Sequence, residues 1–221
     1  MNARDAAGGG TSGSPLSRRV AALADAAITL LAEGGMRALT HRGVDARAGV
    51  PLGTTSAYLR TRQALIEAVV RRLAELDRAD LTARALPTGP PPPGPPPRLT
   101  AADLDRLAAG AAEVLDRWLT TDRDRTLARY ACLLEAVHRP ELRSVLEHGT
   151  ALREQARALL AGAGAADPRR QGDQFVAFVD GLLFDRLVGA GALSAPPPGT
   201  PQSRADLRAA VRTLLRAFTG T

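Results

Sequence analysis

The sequence predicts an all-α protein, with an N-terminal three-helix unit of helix-turn-helix type and a larger helical unit behind it, about nine helices in all. Three observations predict it. Apolar residues make up 45% of the chain while aromatic residues make up only 3%, and the filling is Ala and Leu, which suits packed helices better than β-branched strands. Apolar positions recur at i, i+3 and i+4 through most of the chain. Between residues 41 and 59, two short segments flank a Gly-Val-Pro turn.

Residues 1–14 carry almost no apolar side chain and cannot offset their ordering entropy, so residues 1–16 are expected to form a disordered tail. From Ser17, a candidate N-cap, Val20, Leu23, Ala24, Ala27, Ile28 and Leu31 follow helical spacing until Gly34 and Gly35. Thr40 can cap a short second helix carrying Val44 and Ala48. Gly49-Val50-Pro51 then forces a turn, and Pro51 is expected to open a third helix at its first position. A longer fourth helix begins near Thr61, with the stripe Leu65, Ile66, Val69, Val70, Leu73 and Leu76 running to about Leu86, where Pro87 ends it. The proline run cannot be helical, so residues 87–98 are expected to form an extended, semi-rigid surface loop. Thr100 caps the next helix, with Asp103 as its capping-box acid, and Leu104, Leu107, Ala111, Val114, Leu115 and Trp118 continue the stripe. Helical patterns recur over residues 125–137, 140–160, 168–188 and 203–218.

The pattern over 168–188 has two apolar lines, Phe175, Val179 and Leu182 on one and Val176, Leu183 and Leu187 on the other, more than one neighbouring core can cover. One face is therefore expected inside the subunit and the other against a second copy. The homodimer interface is expected at Val179, Leu183, Leu187, Val211, Leu214, Leu215 and Phe218.

All 29 basic residues are Arg, and the formal net charge is +6. Nine arginines against five carboxylates fall between residues 15 and 75, so most of the excess lies over the helix-turn-helix segment and points to a polyanionic partner. The single cysteine, Cys132, cannot form an intrachain disulfide, and no Cys or His cluster has metal-ligand spacing. No metal or other cofactor is expected, and a reducing cytoplasm fits. The first sixteen residues lack the apolar stretch of a signal peptide, and no segment approaches the roughly 20 apolar residues of a membrane span. A soluble, cytoplasmic protein without membrane contact is expected.

With three histidines, His41, His138 and His148, the chain offers no Ser/His/Asp arrangement, phosphate-cradling glycine loop or cofactor fingerprint. No catalytic residue is expected. The alternative from another class is a small all-α enzyme or ligand carrier that uses a helix-turn-helix as scaffold.

The segment between residues 41 and 59 joins two short helices by a tight turn, and the second is rich in small hydroxyl residues, as a helix that must enter a groove about 12 Å wide requires. Ala48-Gly49-Val50, Gly53-Thr54, Tyr58, Arg62 and Leu65 fall in the register in which this segment resembles the TetR family of transcriptional regulators. The resemblance spans about residues 19–70, and Asp180-Gly181-Leu182 resembles the family's dimerisation helix. The chain departs from the family pattern at four positions. Ser56 occupies a Tyr slot, Leu59 a Phe slot and Gln63 an acid slot, while Asp45 stands where Ala commonly packs between the two short helices.

The resemblance implies a DNA-binding domain over residues 17–62 and a ligand-binding and dimerisation domain over 63–221. It implies a ligand-responsive regulator, a repressor that binds a palindromic operator in double-stranded DNA as a homodimer and answers to an unknown small-molecule effector. By resemblance, Thr54 and Thr55 face base edges or adjacent phosphates, and Tyr58 meets a backbone phosphate. Thr40 and Arg42 at the opening of the second helix, and Arg60 and Arg62 before the fourth, hold phosphate. In the C-terminal domain, Trp118, Tyr130, Leu134, Phe175 and Phe178 are candidates to line an effector pocket.

Overall fold

The computed structural model describes residues 14–84, 86, 94, 98–142 and 150–219, which form ten α-helices and no strand. The expected tail before Ser14, most of the proline-rich loop and His148 lie outside the described residues.

Helix α1 (Pro15–Ala38) begins three residues earlier than expected, because Ser14 is its cap: the Ser17 N–H donates to Ser14 Oγ at 3.1 Å, and Pro15 takes the first helical position. The helical path passes through Gly34 and Gly35 rather than stopping there. Gly35 has φ 61°, open to glycine and costly for other residues, so the chain bends and adds a last turn to Ala38. Helix α2 (His41–Arg47) is capped by Thr40, whose Oγ1 accepts from the Gly43 N–H at 3.0 Å. Helix α3 (Thr54–Tyr58) starts three residues later than expected, since Pro51, Leu52 and Gly53 belong to the turn. Helix α4 (Arg62–Thr82) is capped by Thr61 and ends short of Leu86.

Helix α5 (Ala101–Leu119) opens with the expected capping box: the Asp103 N–H donates to Thr100 Oγ1 and the Thr100 N–H donates to the Asp103 carboxylate. Helix α6 (Arg123–His138) follows a short turn. Of the helix expected over 140–160, Pro140–Leu142 form a 3₁₀ turn and the residues from Thr150 on are helical, in helix α7 (Thr150–Gly162), while residues 143–149 lie outside the described residues. Helix α8 (Pro168–Val188) has the expected bounds, α9 (Gly191–Ser194) is one unanticipated turn, and α10 (Pro201–Thr219) completes the described chain.

Two apolar cores organise these helices. The first joins α1, α2, α4 and α6 through Leu23, Ile28, Leu39, Val44, Leu65, Val69 and Cys132. Burial there pushes the Cys132 thiol up to about 12, with Glu135 adding to the effect, so it is not an available thiolate. The second joins α5, α7, α8 and α10 through Leu104, Leu115, Leu160, Leu183, Leu207 and Leu215. Helix α4 serves both, giving Leu65 to Leu73 to the first core and packing Leu81 against the second.

A network of charge ties α4 to its neighbours. Asp80 meets Arg125 at 3.2 Å and Arg117 at 3.6 Å; Asp122 meets Arg117 at 2.8 Å and also pairs with Arg125; Asp77 meets Arg129 at 2.5 Å. Burial pushes the Asp77 carboxyl above its usual range, Arg129 and Arg125 notwithstanding.

The first core is the larger support of the N-terminal helices, and Leu65 lies fully inside it. Leu65→Ala is expected to lower stability by about 2–5 kcal/mol in chemical denaturation, while Leu134→Ala, on an exposed face of α6, changes it by less than about 0.5 kcal/mol.

Candidate functional site

The N-terminal helices place α3 on the surface by pinning it to α2. Asp45, in the body of α2, is buried, and a buried carboxylate must find donors. It finds them at the start of α3: Oδ2 accepts from the Gly53 N–H at 2.7 Å, and Oδ1 accepts from the Thr55 N–H at 2.7 Å and the Thr55 hydroxyl at 2.6 Å. Burial pushes the Asp45 carboxyl up, but the Thr55 hydroxyl and N–H, the Gly53 N–H and the nearby His41 together hold it below its ordinary value. Gly53 takes φ 91°, the left-handed conformation that turns its N–H inward to the carboxylate. The far end of α3 is held as well, with His41 Nε2 2.6 Å from the Leu59 carbonyl oxygen.

This clamp sorts the sequence-predicted contacts. Thr55 is fully buried and its hydroxyl serves Asp45, so it reaches no groove and is a supporting residue. Arg62 is likewise engaged, donating at 2.5 Å to the Leu39 carbonyl and at 2.6 Å to the Met36 carbonyl, which locks the α1–α2 connection to the start of α4. It is not a free phosphate anchor. Thr40, Arg42 and Arg60 are exposed, Tyr58 is 43% exposed, and Thr54 is half-buried with its hydroxyl donating to the Pro51 carbonyl at 2.6 Å. The acid at position 45 is the one signal in the sequence that could have revealed the role of Thr55, because an acid facing a core must recruit donors from the next helix.

A second feature lies between α4, α5, α7, α8 and α10. An apolar cavity of about 150 Å³ is walled by Leu81, Leu107, Leu115, Leu159, Val211 and Leu215, with Trp118 and Phe175 as its aromatic residues. Gln155 and Asp180 are the uncharged polar and acidic residues on its wall. Trp118 is fixed in place: its Nε1–H donates to Asp80 at 3.2 Å, and the Arg129 guanidinium lies 4.8 Å from the ring centre. Of the five expected lining residues, Trp118 and Phe175 are there and three are not. Tyr130 stacks edge-on to Phe184 at 5.2 Å and donates to the Asp180 carbonyl, while Leu134 and Phe178 lie exposed to solvent.

The expected interface residues also divide. Leu183, Leu187, Val211 and Leu215 are buried inside the subunit, Val179 lies on the cavity wall, and Leu214 and Phe218 are half-buried. The outward line of α8 is instead Phe178, Gly181, Phe184 and Val188, and that of α10 is Ala205, Ala209, Thr213 and Ala217. Both apolar lines read from the sequence, Phe175, Val179 and Leu182 and Val176, Leu183 and Leu187, face the subunit's own core and cavity, and the outward face of α8 is a third line that the pattern did not single out.

The family model for the tetracyclin repressor-like C-terminal domain matches residues 102–217. The chain belongs to the TetR family. Solved TetR-type structures align with nearly the whole chain. A TetR family member from Streptomyces coelicolor A3 is 28% identical, with a TM-score of 0.62 over 89% of this chain and 97% of that one. The multidrug binding protein EbrR, solved with ethidium, is 28% identical, with a TM-score of 0.58 over 91% of this chain and 99% of that one. A transcriptional regulator from Rhodococcus sp. Rha1, at 23% identity and a TM-score of 0.65 over 92% of this chain and 96% of that one, shares the fold. No curated protein matches the chain. Within this TetR fold, no helix among the described residues is long and apolar enough to cross a membrane.

Because Asp45 has a lowered folded value, its contribution to stability is complete above the ordinary aspartate value of 3.8 and is lost as pH falls through the folded value. Thermal melts below pH 4 are expected to be less acid-sensitive for Asp45→Asn than for the wild type, and Asp45→Ala is expected to cost about 2–3 kcal/mol at neutral pH by stranding buried donors.

Proposed function

We propose that the protein is a cytoplasmic, ligand-responsive transcriptional repressor that binds a palindromic operator as a homodimer. Residues 17–62 form its DNA-reading domain and residues 63–221 its effector and dimerisation domain. The observation that carries this reading is the clamped surface helix α3, with exposed Tyr58 as its last residue and the exposed cations Arg42 and Arg60 flanking it, within a chain of the TetR family.

In this reading Thr54 and Tyr58 meet the duplex directly, Arg42 and Arg60 hold phosphates, and Thr40 caps the helix that carries Arg42. Two copies pair through the outward faces of α8 and α10, with Phe178, Phe184 and Val188 of one against the small-residue line of α10, which sets two reading helices about 34–36 Å apart. The effector occupies the apolar cavity. EbrR has been solved with ethidium and with imidazole, and a ring-bearing ligand suits a cavity walled by Trp118 and Phe175. Its arrival acts on α4 through Asp80, which Trp118 holds, so it shifts the heads only as far as it prefers one α4 position over the other.

The test is binding to duplexes selected from random DNA. Wild-type protein is expected to enrich a palindrome and to lose log affinity linearly with log salt. Arg42→Ala with Tyr58→Ala abolishes footprinting while sedimentation shows an unchanged dimer; retained footprinting refutes the assigned head. Phe184→Glu is expected to give a monomer that no longer protects the palindrome. Trp118, the single tryptophan, reports effector entry directly: proflavin should quench its emission and release DNA at the same concentrations.

A further inference from the structure

Leu52 is given no role by its position in the sequence, yet it is 74% exposed at the apex of the turn into α3. A leucine held in water gains nothing from folding, and this one is held firmly. Pro51 precedes it, Gly53 follows in the left-handed conformation with its N–H on the Asp45 carboxylate, and the Thr54 N–H closes the turn on the Pro51 carbonyl at 3.1 Å. Its backbone is therefore fixed at the turn into α3 and its side chain lies in solvent, with Thr54, Ser56, Ala57 and Tyr58 following it in the chain.

Helix α3 and its turn contain no Arg, Lys, Asn or Gln, the side chains that make two hydrogen bonds at once to guanine or adenine. The exposed cations Arg42 and Arg60 lie on flanking elements suited to phosphate, and Arg47, at the end of α2, is paired with Glu33. What remains for base edges is apolar contact and hydroxyl hydrogen bonding, and the one apolar group that a major groove presents is the C5-methyl of thymine.

We infer that Leu52 reads a thymine methyl group, so that each operator half-site presents thymine, and not cytosine, opposite this turn. The inference rests on the DNA-reading function proposed above and adds the base chemistry to it. Leu52 is a specificity-determining residue here, and the γ-methyl of Thr54 extends the same apolar surface.

The test uses the full-length protein and the duplex enriched from random DNA, with each thymine of the half-site replaced in turn by deoxyuridine, which removes the methyl group alone. For the wild type, one position is expected to lose about fourfold in affinity per half-site and about fifteenfold when both halves are replaced. Leu52→Ala should bind the thymine and deoxyuridine duplexes equally, Leu52→Met should restore the difference, and both should melt with the wild type because the side chain is exposed. Equal binding of the two duplexes by the wild type overturns the inference while leaving the regulator reading intact. A deoxyuridine loss of the same size in Leu52→Ala overturns it in the same way. Failure to enrich any sequence overturns both.

Discussion

The geometry of the N-terminal unit depends on a carboxylate that has been taken out of water. Asp45 lies where a small apolar side chain would pack without difficulty, and its charge would be expensive there if the chain did not turn three donors toward it. Those donors are the first groups of α3, so satisfying the charge and setting the direction of a five-residue helix are one event. A helix that short has little stability of its own, and its orientation comes from contacts outside it.

Helix α4 carries the consequence into the rest of the molecule. Its first turns sit in the core that supports α2 and α3; its last turns reach the wall of the apolar cavity, and Asp77 and Asp80 bind it to arginines of α5 and α6. Trp118 stands at the junction, one face toward the cavity wall and its N–H on Asp80. The two halves of the chain are thus joined by α4, by the packing of α6 into the first core and by a set of ion pairs, rather than by a flexible tether.

Much of this was legible in the sequence. Helical spacing located α1, α4, α5 and α8 because each has a long apolar stripe, and the Thr40, Thr61 and Thr100 caps fell where the hydroxyl side chains stood. The start of α3 was misplaced because Pro51 suits both a helix opening and a turn, and only the Asp45 contacts to Gly53 and Thr55 decide between them. Roles at the site were harder to read. The roles expected of Thr55 and Arg62 came from a family resemblance that says which positions face DNA, whereas burial and hydrogen-bond partners decide what each does. The outward line of α8 was missed for a related reason: Leu183 and Phe184 are neighbours in sequence, and a rotation of one residue exchanges which of them the subunit keeps.

The bond between Asp45 and Thr55 also limits how this protein can diverge. A change of Asp45 strands two N–H groups and a buried hydroxyl, and a change of Thr55 takes one of three donors from a buried charge, so the two are expected to change together or stay. The outer positions of the same turn and helix bear no such obligation. A descendant with a new DNA target would be expected to keep its internal brace and vary only the side chains that the brace holds outward.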